Sequence, residues 1–331
     1  MFNYRKKILN FFYIFLIIHL TIWTLVPTLT NNNLPLDTIE ALAWGSNLDW
    51  GFNKHPPFSA FAVEIFYQIF GSQDWAYYLL SQICIMIAFI YVWKFSNFIF
   101  KNKLYSLCSI LLLEGIFFYN FTSPEFNVNV CLLPFWALVV YYSFRSLNYE
   151  KTSDLILLGI FMSIGFLTKY LFIYLILTIK IIFILNFLKK KNFKIKFLIP
   201  GTIFIFFLAP HIIWLFQNNF ITITYAFNRT GIGDADFTNH IYNPFLFLVK
   251  QIGILIPVII MTLTIIKNKK LKLINLKKDK YFLLLINILP IILIFITSVI
   301  SGAKIRTMWM TPFYLFLGIL LIQIFKENLN G

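Results

Sequence analysis

The first apolar stretch of the chain, residues 5–29, reads RKKILNFFYIFLIIHLTIWTLVPTL. Three basic residues precede an apolar run that is long enough to cross about 30 Å of hydrocarbon as a helix. The run is longer than the apolar region of a typical signal peptide, and no A-x-A-type cleavage site follows it. We therefore predict an uncleaved first membrane span with the N-terminus in the cytoplasm.

The rest of the chain continues this apolar pattern. Of its 331 residues, 60% are hydrophobic and 12% are charged, and a soluble domain of this size could not bury so much apolar surface. Hydropathy and helix breakers predict about ten spans, at 8–29, 75–95, 103–121, 126–146, 154–168, 170–188, 196–216, 244–266, 281–300 and 307–326. The predicted fold is an all-α polytopic membrane protein that forms one unit over residues 1–331, with no C-terminal soluble domain.

The charged residues are distributed unevenly between the two sides of the membrane. Most of the 28 basic residues fall on the predicted cytoplasmic side, including lysine runs near 189–196 and 267–280, as the positive-inside rule requires. These runs favour contacts with anionic lipid over nucleic-acid binding. The cations predicted outside are Lys54, Lys169, Arg229, Lys304 and Arg306. The carboxylates predicted on that same outer side are Asp37, Glu40, Asp49, Glu64, Asp74, Glu125, Asp234 and Asp236.

Two long segments, 30–74 and 217–243, are predicted on the outer side, and the first contains the polar stretch LPLDTIEALAWGSNLDWGFNKHPPFSA at 34–60. Asp37 and Glu40 are three residues apart, so on a helix they share a face. Paired carboxylates there could act as a base or hold a divalent cation, and an ordinary acidic helix N-terminus is the alternative interpretation. The outer cations suit a lipid phosphate, or each could pair with a carboxylate or reach the interface.

Glu114, His19 and His211 lie within apolar runs, as do Lys180 and Lys250. Glu114 could be functional, or it could be neutral or paired near the interface. His19 and His211 are isolated in their runs and are interpreted as structural residues.

Five segments carry a family resemblance in their order along the chain. They are Leu36-Asp37 with Ala43-Trp44 and His55-Pro56-Pro57-Phe58; Ser123-Pro124-Glu125; Thr168-Lys169-Tyr170; Trp214 with Gln217-Asn218-Asn219 and Arg229-Thr230-Gly231; and Trp309 with Pro312. Together they resemble the polyprenyl-phosphate-sugar-dependent glycosyltransferases of the protein O-mannosyltransferase and aminoarabinose transferase group, family 39/83-like. The resemblance covers roughly residues 30–320.

This resemblance implies a GT-C fold with a catalytic first outside loop at 30–74. It implies an inverting transfer of a sugar from a polyprenyl-phosphate donor to lipid A, a glycan or a protein of the envelope. Asp37 would be the catalytic base and Glu40 its supporting carboxylate. The substrate contacts would come from Lys54, His55, Glu125, Lys169, Tyr170, Arg229, Lys304 and Arg306. No cofactor is otherwise expected, although Asp37 and Glu40 could hold a divalent cation. The lysine-, asparagine- and isoleucine-rich composition indicates an AT-rich bacterial genome, so the location would be a bacterial inner membrane, with the active site facing the periplasm.

Thr38 marks a departure from the family pattern, because many relatives carry Asp-Glu at this point of the first loop. Relatives are also usually longer, whereas this chain ends soon after its last predicted span. Two alternatives therefore remain open at this point. One is a transporter or flippase for an anionic lipid-linked sugar, and the other is a catalytically inactive membrane scaffold of the same family.

Overall fold

The computed structural model describes residues 2–191, 193–233, 235–266 and 278–326. Within these ranges the chain forms thirteen α-helices and no strands. They are α1 (Phe2–Thr30), α2 (Leu36–Gly45), α3 (Phe58–Phe70), α4 (Asp74–Ile99), α5 (Lys103–Leu111), α6 (Val128–Tyr149), α7 (Thr152–Thr168), α8 (Ile173–Lys190), α9 (Ile199–Gln217), α10 (Ile221–Thr230), α11 (Asn239–Ile265), α12 (Lys278–Ser301) and α13 (Leu317–Phe325). Asp234 and residues 267–277 of the predicted lysine run at 267–280 lie outside the described residues.

The predicted all-α polytopic membrane fold is confirmed. Among the described residues, seven helical segments are long and apolar enough to cross a membrane, and the bent pair Thr307–Tyr314 with α13 would make an eighth. The sequence predicted about ten spans, and two of those correspond to helices that are shorter than these candidates. The span predicted at 154–168 is the 17-residue helix α7. The span predicted at 103–121 is the nine-residue helix α5, followed by two short 3₁₀ turns.

The break after α5 contains Glu114 and Gly115, which both lie close to other helices. A side chain at Gly115 would lie 2.7 Å from the backbone of Val258 in α11, so the two segments approach as closely as a glycine permits. The Asn120 amide donates to the Glu114 carbonyl at 2.8 Å, which satisfies a backbone group that a continuing helix would have used. Glu114 also lies 2.9 Å from Nδ1 of His19 in α1, so an imidazole is the nearest charged or polar neighbour shown for its Oε1 atom.

The core of the bundle is built around α6. This helix packs against α4 on one side and α7 on the other, and its Trp136, Ala137 and Val139 are fully buried. The outer helices α9 and α11 keep many large apolar side chains exposed, such as Phe206 and Ile260. An apolar surface of this kind is stable where the surrounding medium is hydrocarbon.

Side chains of α9 and α10 hold the loop between α2 and α3 against the helical bundle by hydrogen bonds. The Trp214 indole donates to Oδ2 of Asp49 at 2.7 Å, and the Thr222 hydroxyl donates to the Phe52 carbonyl at 2.6 Å. Between these points the backbone at Gly51 lies directly on the Trp214 ring, where a Cβ atom would come within 2.4 Å of the ring carbons. The loop is therefore held in one position against the bundle.

We expect Gly51→Ala to lower the thermal unfolding midpoint of the full-length protein in detergent. The added methyl group overlaps the Trp214 ring, and overpacking of this kind costs about 1–3 kcal/mol. Gly201→Ala is the matched control, because Gly201 lies in α9 as Trp214 does and has open space around it. That variant should be neutral or more stable by about 0.5–1 kcal/mol. Equal midpoints for Gly51→Ala and wild type would contradict the close contact.

Candidate functional site

A cavity of about 340 Å³ opens between the loop that joins α2 to α3 and the helices α2, α8, α10 and α12. Eight of the ten site residues predicted from the sequence line it, namely Asp37, Glu40, Lys54, His55, Lys169, Tyr170, Arg229 and Arg306. Glu125 lies behind Asp37, where its carboxylate accepts the backbone N–H of Asp37. Lys304 is exposed and absent from the cavity lining, and its backbone N–H donates to the Thr230 carbonyl at 2.9 Å. The structure thus brings nine of the ten residues to one place and leaves Lys304 apart.

Asp37 lies in the first turn of α2, which begins immediately after Pro35. Burial raises the pKa of its carboxyl group above the ordinary value, and the charge of Glu40 raises it further. Lys54, Lys169 and Arg229 act in the opposite direction without cancelling the rise. Among the described residues, Asp37 has no ion-pair partner within 4.0 Å. It is therefore a more basic carboxylate than usual, and its oxygens are free for a ligand.

Thr38 fixes the start of α2 from the buried side. Its side chain is 1% exposed, and its hydroxyl donates to the Phe126 carbonyl at 3.0 Å. The neighbouring Glu125 carboxylate accepts hydrogen bonds from the Asp37 backbone and the Asn127 side chain, and burial raises its pKa. The position at which relatives carry a second carboxylate is therefore a structural anchor in this chain, and Glu125 supplies the nearby acid.

We expect Thr38→Glu, which restores the Asp-Glu order of relatives, to destabilise the protein. A carboxylate cannot donate to the Phe126 carbonyl, and it would be buried beside Glu125. The loss should be about 2 kcal/mol or more, against about 1 kcal/mol for Thr38→Val, which removes only the hydrogen bond. Thermal unfolding of the full-length protein in detergent measures both variants. A Thr38→Glu protein as stable as wild type would show that this position can hold a charge.

Glu40 and Lys54 form an ion pair in the lining of the cavity. The Lys54 ammonium donates to Oε1 of Glu40 at 2.5 Å, and this hydrogen bond raises the pKa of Lys54. The same ammonium lies 6.0 Å from the centre of the Tyr225 ring. Glu40 is therefore engaged with a cation, and it orients Lys54 toward the cavity.

The donors for the predicted divalent cation are two carboxylates, one of which is already paired. No group of three or more His, Cys, Asp or Glu side chains suited to a metal ion occurs in the part of the chain that the structure describes. Two carboxylates, with Glu40 bound to Lys54, are a poor match for the six or more oxygen ligands that such cations take. A cation at Asp37 and Glu40 stays a prediction.

Lys169 is the most deeply buried cation of the site, at 7% exposed. It lies in extended backbone between α7 and the 3₁₀ turn Tyr170–Phe172. Its ammonium donates to Oδ1 of Asn129 at 2.5 Å and lies 5.1 Å from the centre of the Trp309 ring. Burial lowers the pKa of Lys169 to about 7, and the charge of Asp37 opposes this shift. A neutral amide and a ring hold this cation, so an anion that entered the cavity would supply its missing countercharge.

Arg229 and Arg306 complete the basic part of the cavity. Neither guanidinium has an ion-pair partner among the described residues. His55 is neutral near pH 7, because burial and the charges of Lys169 and Lys54 lower its pKa to about 3. The cavity therefore presents two unpaired arginines and a buried lysine around the Asp37 carboxylate, with a neutral imidazole beside them.

The inner part of the cavity is apolar and lies between α8 and α12. Its wall includes Ile173, Ile294, Ile305 and Met308, and the Tyr174 hydroxyl bridges the two helices by donating to Thr297 at 3.0 Å. The charged and the apolar lining residues thus belong to one continuous cavity. This arrangement suits an amphiphile with an anionic headgroup and a hydrocarbon chain.

Sequence reasoning missed several side chains that support the site. Asn129 and Trp309 hold Lys169, and Tyr225 faces Lys54. Asn129 follows Asn127 within an otherwise apolar run at 126–133. This pair of amides was the sequence feature that could have indicated a polar site there. His211, interpreted as structural, is fully buried and bonds to Tyr170 in the cavity wall at 2.7 Å.

Residues 54–214 match the family model "Dolichyl-phosphate-mannose-protein mannosyltransferase". The structure of ArnT from Cupriavidus metallidurans bound to undecaprenyl phosphate matches with a TM-score of 0.70 and 16% identity, over 97% of this chain and 61% of that one. ArnT from the same organism in the apo state matches with a TM-score of 0.69 and 14% identity, over 97% and 60%. The chain thus spans about three fifths of the length of ArnT. The sequence matches no curated protein. The shared fold is GT-C, as the resemblance in the sequence predicted.

Proposed function

We propose that this chain, which resembles the dolichyl-phosphate-mannose-protein mannosyltransferases over residues 54–214 and has the fold of ArnT, is a membrane glycosyltransferase. Its donor would be a sugar carried on a polyprenyl phosphate. One observation carries the proposal. A single cavity joins the raised-pKa carboxylate of Asp37, the unpaired cations Arg229, Arg306 and Lys169, and an apolar wall between two membrane helices.

The proposed reaction exchanges one bond at the anomeric carbon of the sugar. The bond from this carbon to the phosphate oxygen breaks, and its electron pair remains on the lipid phosphate. The acceptor hydroxyl oxygen attacks the same carbon from the opposite face, which inverts the configuration, and its proton passes to the Asp37 carboxylate. Asp37 suits this step because burial makes it more basic than an ordinary aspartate, and a general base works best when its pKa lies closer to the working pH.

The cations would stabilise the leaving phosphate. Lys169, Arg229 and Arg306 line the same cavity as Asp37, and fixed positive charges aimed at a developing negative charge lower the barrier without reorganising water. The polyprenyl chain would lie along the apolar wall between α8 and α12. This arrangement supports a lipid donor, because the phosphate can reach the cations while the chain stays in hydrocarbon.

The direct test is transfer from a polyprenyl-phosphate donor by the full-length protein in lipid nanodiscs. Undecaprenyl phosphates that carry tritiated mannose, glucose or aminoarabinose would be mixed with envelope extracts from a strain that lacks the gene. We expect one of them to yield labelled product and free undecaprenyl phosphate. Flux of the labelled lipid across a vesicle membrane without covalent transfer would instead indicate a transporter. Binding of the donor with neither outcome would indicate an inactive scaffold.

We further propose that the acceptor is an envelope molecule, either lipid A, a glycan or a protein, and that the site faces the periplasm of a bacterial inner membrane. The charge distribution along the sequence supports this orientation, because the cations in the cavity are among the few that the positive-inside rule places outside. Masses of lipid A and of glycoproteins from cells with and without the gene would identify the acceptor. A thiol introduced at Asn53, which is exposed, should react with a membrane-impermeant reagent only from the periplasmic side.

A further inference from the structure

His211 connects the cavity to the first loop from within α9. Its ring is fully buried. Nδ1 lies 2.6 Å from the Trp50 carbonyl oxygen, and Nε2 lies 2.7 Å from the Tyr170 hydroxyl. One buried imidazole thus joins a backbone group of the loop to a side chain that lines the cavity.

These two contacts determine which nitrogen of His211 carries the proton. A carbonyl oxygen only accepts hydrogen bonds, so Nδ1 must donate to Trp50. In a neutral imidazole the other nitrogen is then an acceptor, and the Tyr170 hydroxyl must donate to Nε2. Thr222 also lies beside the Tyr170 oxygen, but its own hydroxyl proton goes to the Phe52 carbonyl. The hydroxyl proton of Tyr170 is therefore held in the hydrogen bond to Nε2 of His211.

We propose that Tyr170 faces the cavity as a hydrogen-bond acceptor, held so by His211, and that it binds a hydroxyl or ammonium group on the sugar of the donor. With its proton held by Nε2, the phenol oxygen offers only lone pairs to a ligand. A phosphate oxygen also offers only lone pairs, so it gains nothing from Tyr170. Tyr170 directly follows Lys169, where the phosphate is proposed to bind. The sugar is bonded to that phosphate, so its donor groups would lie in the same cavity as Tyr170.

In this arrangement His211 is a positioning residue, because it acts through Tyr170 and through the Trp50 carbonyl. The inference rests on the proposed function for the identity of the ligand. The tautomer of His211 does not depend on that function and can be measured separately.

The first experiment measures the tautomer in the full-length protein. The chain has four histidines, so ¹⁵N-histidine labelling in nanodiscs gives few signals, and His211→Gln identifies the one from His211. We expect a proton on Nδ1 and a hydrogen-bonded acceptor at Nε2, with the Nε2 shift changed by Tyr170→Phe. A proton on Nε2 would overturn the inference, because Tyr170 would then accept from His211 and present its own proton to the cavity.

The second experiment compares the binding of undecaprenyl phosphate with that of the same lipid carrying mannose, glucose or aminoarabinose. Tyr170→Phe should weaken at least one sugar lipid by about 3- to 10-fold, as expected for one hydrogen bond, and should leave undecaprenyl phosphate unchanged. Equal weakening of both lipid classes, or of neither, would overturn the inference. If wild type binds none of these lipids, the proposed function fails and the tautomer alone decides the state of Tyr170.

Two conservative variants separate the two contacts of His211. The amide of His211→Gln reaches the position of Nε2 and can accept from Tyr170, whereas the amide of His211→Asn lies near Nδ1 and can donate to Trp50. We expect His211→Gln to keep most of the preference for the sugar lipid over undecaprenyl phosphate, and His211→Asn to lose it. Thermal unfolding checks that both variants are folded. The reverse order would show that His211 only anchors the loop, and the role in substrate binding would be wrong.

Discussion

Asp37→Asn should lower sugar transfer by about 10²- to 10⁴-fold, which is the usual contribution of a general base. Asparagine keeps the size of the side chain but cannot take the proton of the acceptor hydroxyl. The loss should be in turnover, because the side chains that hold the donor are all retained. Removing a carboxylate from among Lys54, Lys169 and Arg229 should leave donor affinity equal or higher. Turnover measured at saturating donor, together with donor binding, separates the two effects.

Glu64→Gln is the matched control for this variant. Glu64 is an acid of α3, and its carboxylate accepts from Gln68 at 2.5 Å outside the cavity lining. Its amide variant should transfer sugar at the wild-type rate. If Asp37→Asn also retained the wild-type rate, the base would be another group, and Glu125 behind Asp37 would be the next candidate. Transfer by wild type should also fall as the pH falls through the raised pKa of Asp37, because only the unprotonated carboxylate accepts a proton.

The composition of the cavity could be predicted largely from charge placement along the chain. Cations such as Lys54, Lys169 and Arg229 interrupt an otherwise acidic outer side, and these three line the same cavity as Asp37, although Lys304, selected in the same way, does not. The partners of these cations could not be predicted in the same way. The pairing of Glu40 with Lys54 joins residues fourteen apart and depends on the shape of one loop, which no periodic pattern in the sequence indicates.

The supporting residues required knowledge of how the helices pack. Asn129 and Trp309 meet at Lys169 from α6 and from the 3₁₀ segment Thr307–Tyr314, and they are 180 residues apart in the sequence. His211 looked like an ordinary core histidine because a single polar residue in an apolar helix has no visible partner. Its partners, Tyr170 and the Trp50 carbonyl, lie on other segments, and one of them is a backbone atom that carries no side-chain signal.

Lys169→Met should weaken donor binding by about 10- to 100-fold, because a hydrogen bond that involves a charged group contributes about 1.5–3 kcal/mol. Methionine retains most of the buried volume beside Trp309, so the fold should persist. The measurement is the affinity of the full-length protein for undecaprenyl-phosphate-mannose, a phosphodiester whose single charge stays constant from pH 6 to 9. Lys151→Met is the control, since Lys151 is exposed at the start of α7 and lies outside the cavity lining.

The pH dependence of this affinity distinguishes a buried, titrating lysine from a permanently charged one. The pKa of Lys169 is about 7 in the empty cavity, and a bound phosphate raises it because the anion favours the ammonium form. Binding therefore takes up a proton above pH 7, and wild-type affinity should fall by up to about tenfold per pH unit there.

Arginine stays charged throughout, so Lys169→Arg should remove the pH dependence of the affinity, even if its larger guanidinium group lowers the affinity itself. The Met variant should bind weakly at every pH. A wild-type affinity that stays constant between pH 7 and 9 and well above that of Lys169→Met would mean that Lys169 remains charged in the empty cavity, and its carboxylate neighbour Asp37 would then outweigh the effect of burial.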